Sequence, residues 1–271
     1  MENFDRSKYA FVDTGVKIRT VSYNQAGETS ILLVPELNYP LEFYEQFMLK
    51  YKKCRIVSAD LIGQGQSEQT GEYSLNLFVS QFAEVISHYQ LASEETHLLC
   101  HGFGCVVGAL LSQQFTFKSV NFVTPLIYQK PYDKTMYRQG LVKRLVQSLS
   151  CGRSHPDQEI MREYDVRVFD FFPSNKKPLR GLFKDQISTQ FLNRDVELRG
   201  AQGLDQVFLD CCQFSKPRVL LAPNDQFCDY SKTAAFAYHQ LHINAESNGL
   251  ATHDSIVLQP ELIIEWMDQV V

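Results

Sequence analysis

The sequence predicts an α/β protein, a mostly parallel central sheet with helices on both faces and a helical lid insertion. Three observations lead there. Short apolar runs alternate with helical stripes along the chain. Several of those runs stop abruptly in turn-forming residues, as in VP after ILL and D after RIVSA. Residues 130–212 are more polar and break this rhythm, which resumes in PRVLLAPND at 217–225.

The elements follow in order. VKIRTVSYN (16–24) alternates as a half-buried strand does, and ILLVP (31–35) and RIVSAD (55–60) read as short buried strands. Residues 74–90 carry Leu75, Phe78, Val79, Phe82, Val85, Ile86 and Tyr89 at helical spacing, opened by Ser74 as an N-cap. HLLC (97–100) is the next strand, and GCVVGALLSQQF (104–115) reads as a buried helix. SVNFVTPLI (119–127) and PRVLLAPND (217–225) are further strands. A terminal helix after Pro260 puts Leu262, Ile263, Trp266 and Met267 on its apolar side.

The core therefore comprises 1–129 and 213–271, and 130–212 forms the insertion. Two helix-like patterns lie within it, at 135–149 and near 183–213, separated by the loop signal SCGRSHPDQ at 150–158. An insertion at the carboxyl ends of the strands would cover the crevice where open α/β sheets bind ligands. It is a candidate lid.

The 271 residues are 44% hydrophobic and 21% charged, enough to bury a sizeable core. A net charge of −5 argues against a nucleic-acid or anionic-membrane partner. The local cluster Lys134, Arg138, Lys143 and Arg144 reads as a solvated helix face. Seven cysteines (Cys54, Cys100, Cys105, Cys151, Cys211, Cys212 and Cys228) show no CxxC pair and no metal-like spacing with histidine. The polar N-terminus is unlike a signal peptide, and no apolar run is long enough to span a bilayer. The expectation is a cytoplasmic protein with buried thiols, no metal and no cofactor.

HLLCHGFGCVVGALL (97–111) has a small residue, Cys100, and another, Gly104, on either side of Gly102, between a strand and a helix. This stretch resembles the nucleophile elbow of the α/β-hydrolase family. There the nucleophile sits in a strained turn, and its neighbours two before and two after must be small so that strand and helix can approach. Three other stretches fall in the family's order. DLIGQGQSE (60–68) resembles its D-x-R-G-x-G-x-S turn, with Ile62 in place of Arg. LLAPNDQFCDY (220–230) resembles the strand end that delivers the triad acid, here Asp225, and is similar to the monoacylglycerol-lipase/lysophospholipase-like branch. NGLATHDSIVLQPELIIEWM (248–267) resembles the loop that delivers the triad histidine, here His253.

Two departures stand out. The nucleophile position is Gly102, which has no side chain to attack anything. The resemblance implies an oxyanion hole made by the N–H groups of Phe103 and Leu37, yet Pro35-Glu36 stands where the family writes His-Gly. Glu36 turned inward would repel developing negative charge; turned outward it would be an ordinary solvated carboxylate. His101 occupies a position where the family often has histidine.

A chain without the serine loses the acyl-enzyme route. The sequence leaves several functions open. One is a pseudoenzyme binding a small acyl or aromatic ligand under the lid, with Leu37, Phe103, Glu36 and His101 lining the site. A second is an enzyme of hydrolase, lyase or cofactor-free oxygenase type that uses His253 and Asp225 as a general-base dyad. A third is a scaffold for a protein partner. A fourth is a working serine replaced by Gly102 through engineering; the altered Pro35-Glu36 argues against it. Fold resemblance alone does not choose among them.

Overall fold

A computed structural model describes residues 4–27, 29–37, 39–68, 70, 74–128, 204–225, 228–250 and 252–271. The body of the insertion and its first helix-like pattern lie outside these residues.

Seven strands form one sheet: β1 (Tyr9–Asp13), β2 (Lys17–Tyr23), β3 (Thr29–Val34), β4 (Cys54–Ala59), β5 (Thr96–His101), β6 (Ser119–Val123) and β7 (Arg218–Leu220). Their spatial order is β1-β2-β4-β3-β5-β6-β7. β1 pairs antiparallel with β2, and β2 antiparallel with β4; all later pairings are parallel. Each strand read from the sequence is present, within two residues at its start. The run at 119–127 stops as a strand at Val123, and that at 217–225 at Leu220. β1 escaped the sequence reading because only Val12 of its five residues is buried, so no apolar alternation marks it.

The described helices are α1 (Glu45–Lys50), α2 (Leu75–His88), α3 (Gly104–Leu111), α4 (Leu204–Phe214), α5 (Tyr230–His239), α6 (Ser255–Leu258) and α7 (Pro260–Met267). Ser74 caps α2 as expected: its hydroxyl accepts the Leu77 N–H at 3.1 Å, satisfying one of the orphan donors of the first turn. α7 opens with Pro260, whose missing N–H costs nothing at a first helical position.

The two sheet faces are covered by different helices. α2, α3 and α4 bury Phe78, Phe82, Val106, Phe103, Phe208 and Phe122 on one side. α1, α6 and α7 bury Phe47, Met48, Ile256, Ile263 and Trp266 on the other. Full burial of one such aliphatic or aromatic side chain stabilises the fold by roughly 1.5–3 kcal/mol. β3 and β5, at the centre, are apolar on both faces, the pattern of parallel strands covered on each side. α4 includes the C-terminal end of the second helical pattern of the insertion. It packs into the core, with Val207, Phe208 and Cys211 buried and Phe208 edge-on to Phe122 at 5.3 Å.

The turn after β4 is organised by Asp60. This fully buried carboxylate accepts the N–H groups of Leu41 and Gln66, at 2.8 and 2.9 Å, and pairs with Arg19 at 3.3 Å. Arg19 also binds Glu42. Burial outweighs these partners and lifts the Asp60 carboxyl to about 6. Ile62, at the arginine position of the family turn, is buried.

Candidate functional site

The carboxyl ends of β3 and β5 lie side by side, with Val34 paired to Cys100. The chain leaves β3 through Pro35-Glu36-Leu37 and leaves β5 through the turn 101–104. Gly102 has φ +53°, a left-handed conformation that glycine adopts at little cost. A Cβ on Gly104 would strike the carbonyl oxygens of Val34 and Pro35, so α3 approaches β3 closely only because this position is glycine.

At the elbow's tip the vacant position is filled from elsewhere. Glu36 is 5% exposed, and its side chain turns inward. Its Oε2 accepts the N–H of Phe103 at 2.9 Å and lies 2.8 Å from His253 Nε2. Its Oε1 accepts the N–H of Leu37. A Cβ built on Gly102 would overlap Oε2 and come 2.8 Å from His253 Nε2. The carboxylate thus stands where any side chain at position 102 would project, and it holds the N–H groups of both Phe103 and Leu37.

His253 is fully buried between two carboxylates. Its Nδ1 is 2.8 Å from Asp225 Oδ2, opposite the Glu36 contact. Asp225 is fixed in turn by the Cys228 N–H, donated to Oδ1 at 2.8 Å. Burial acts to lower the His253 pKa, but the hydrogen bonds and charges of Asp225 and Glu36 prevail and raise it to about 10. At neutral pH the ring is an imidazolium donating from both nitrogens.

A second chain of hydrogen bonds ties the same two loops together. The Glu36 N–H donates to Tyr44 Oη at 2.8 Å. Tyr44 Oη is 2.9 Å from His101 Nδ1, and His101 Nε2 is 2.9 Å from the His253 carbonyl oxygen. A carbonyl only accepts, so Nε2 carries the proton, Nδ1 accepts and the tyrosine hydroxyl donates. Burial, then the neighbouring His253 charge, hold the His101 pKa well below its usual value, which fits this neutral tautomer. Burial keeps the Tyr44 phenol protonated. Tyr39 Oη, from the same loop, donates to Asp254.

The structure brings together Gly102, Phe103, Leu37, Glu36, His101, Asp225 and His253, all the residues singled out in the sequence. Sequence reading missed Tyr39, Tyr44 and Asp254. The spacing of the tyrosines gave no signal, because their side-chain partners, His101 and Asp254, come from distant loops. Cys54, Cys100, Cys105, Cys211 and Cys228 are buried and Cys212 half-buried, and all six are free thiols. Burial raises the Cys100 and Cys105 thiols well above the ordinary range, so these two neighbours of the elbow are poor nucleophiles. Cys151 lies outside the described residues. No group of three or more metal-ligating side chains occurs among the described residues.

The sequence matches no protein-family model and no curated protein sequence. Solved structures of similar fold do match it. A thioesterase domain from the curacin biosynthetic pathway superposes with a TM-score of 0.67 at 14% identity, covering 96% of this chain and 98% of the other. A putative lipase from Acinetobacter baumannii gives 0.67 at 13% identity, covering 97% and 91%. A haloalkane dehalogenase from Agrobacterium tumefaciens gives 0.65 at 16% identity, covering 97% of each chain. The fold is that of the α/β hydrolases.

Proposed function

We propose that this chain does not perform serine-type hydrolysis and instead works as a binding protein, taking up a small acyl or aromatic molecule at the crevice above the elbow. One observation carries the reading: Gly102 supplies no nucleophile, and the Glu36 carboxylate fills the space and the two N–H donors that acyl transfer would need. An oxyanion developing beside a fixed carboxylate would be repelled and would find both donors engaged. The dyad alternative is disfavoured by the state of His253. An imidazolium clamped between Glu36 and Asp225 has no lone pair with which to accept a proton, so it is not a general base at neutral pH. The free thiols support residence in a reducing compartment, and we read the chain as cytoplasmic.

The test is a panel of short- and medium-chain acyl esters and thioesters, run with native protein and His253→Ala. Neither is expected to turn over any of them. Turnover by native protein that disappears in His253→Ala would overturn the binding reading and establish the dyad as catalytic.

A further inference from the structure

We propose that the Leu37 and Phe103 N–H groups and the His253 ring form a binding site for the carboxylate group of a ligand, held shut in the described state by the chain's own Glu36. The inference rests on the binding function proposed above and gives the ligand a chemical class: a carboxylic acid, its anionic head at the elbow and its apolar part directed away from it.

The geometry is that of a bound carboxylate. One oxygen takes the Phe103 N–H at 2.9 Å and the His253 Nε2 donor at 2.8 Å, and the other takes the Leu37 N–H. Both oxygens are thus engaged by donors from three separate segments of chain. Such charge-assisted bonds are the strong ones, and a planar two-oxygen acceptor uses all three donors at once. The donors are rigidly presented. Phe103 is held by the elbow, whose Gly102 N–H donates to Val123 O at 3.0 Å. Asp225 at Nδ1 orients the His253 ring, and its carbonyl is tied to His101. Gly102 is what leaves room, since any Cβ there would overlap the carboxylate.

Glu36 reaches the donors with a side chain attached one residue before Leu37, so it is a tethered ligand occupying its own site. Rotation about the Glu36 side-chain bonds would withdraw the carboxylate and free the three donors. An external carboxylate competes with a tethered one, and its apparent affinity is its intrinsic affinity multiplied by the fraction of molecules with Glu36 withdrawn. Removing the tethered carboxylate should remove that penalty.

The experiment titrates sodium acetate, with acetamide as neutral isostere and sodium chloride as ionic control, into native protein and Glu36→Ala. Binding is read from the His253 ring nitrogen resonances and the melting temperature. Glu36→Ala should bind acetate saturably and at least tenfold more tightly than native protein, with no effect of acetamide or chloride. Absence of acetate binding to Glu36→Ala, equal binding to both proteins, or equal effects of chloride would each overturn the proposal. If Glu36→Ala does not fold unaided, refolding is carried out with each additive. Recovery with acetate alone supports the site, and recovery that is equal in all three, or absent in all, overturns it. Ester turnover by native protein would instead overturn the function proposed above, whatever the titration shows, so the two failures are distinguishable.

Discussion

Gly102 and Glu36 occupy each other's space: a Cβ on the glycine would overlap the glutamate Oε2, and the glutamate reaches the elbow only because the Cβ is missing. The two departures seen separately in the sequence are therefore one structural unit. Changing either alone should leave an incomplete site.

That reciprocity sets the first prediction. Gly102→Ser alone should show no burst of product from an activated acetate ester. The variant should also be less stable, because a non-glycine residue at φ +53° costs about 1–2 kcal/mol before the overlap with Glu36 is relieved. Gly102→Ser combined with Glu36→Gly frees the Phe103 and Leu37 donors and returns a nucleophile beside His253. The double variant should give a stoichiometric acyl-enzyme burst in stopped-flow. A burst of equal size from the single variant would mean that Glu36 withdraws readily.

The second concerns His253. With the imidazolium removed, Glu36 and Asp225 remain as buried carboxylates without the cation between them. Breaking a buried ion pair from one side typically costs about 3–5 kcal/mol. His253→Ala should lose stability on that scale in urea unfolding, and Glu36→Gln, which keeps volume and one acceptor, should lose less. The opposite ranking would argue that Asp225 and His253 are held by other contacts and that Glu36 dominates the site.

The third is a pH dependence. The folded pKa of His253, about 10, lies above its ordinary value of 6.5. A raised histidine contributes stability that is fully present below about pH 6.5 and is lost as pH rises towards 10. Unfolding free energy should therefore decline across that window by a few kcal/mol, at about 1.4 kcal/mol per pH unit at the steepest. Buried thiols also favour unfolding above about pH 9; apart from Cys105, whose thiol feels the Glu36 charge, they do so alike in native protein and Glu36→Gln. The difference between those two curves isolates the Glu36–His253 contact and should narrow as pH rises. Parallel curves would show that His253 is neutral throughout.

The fold was legible because its signals are local. Strand and helix periods, the Ser74 cap and the small residues around Gly102 depend on neighbours within a few positions. Gly104 must be small because the strand that precedes it brings its own helix onto β3. Its chemistry was legible only in part. Glu36 could be seen to be anomalous, but not which way it points. That is decided by Phe103, 67 residues on, and His253, 217 residues on. The same holds for Tyr44 with His101 and for Tyr39 with Asp254, and no periodicity encodes such meetings. The pairing of Arg19 with Asp60, from a neighbouring strand 41 residues back, is hidden in the same way.

The last prediction tests the hydrogen-bonded chain that joins the two loops. Tyr44→Phe keeps the ring in the core but removes the oxygen that accepts the Glu36 N–H and donates to His101 Nδ1. Each group left buried without a partner costs about 1–3 kcal/mol. Because one of them is the backbone of Glu36, the loss should couple to the carboxylate at the elbow. In a double-mutant cycle, Tyr44→Phe and Glu36→Gln should together cost less than the sum of their separate effects, since groups in one network are not independent. Additive costs within about 0.5 kcal/mol would mean that Tyr44 supports the loop without positioning its side chain, and the Glu36 carboxylate would then owe its place to Phe103, Leu37 and His253 alone.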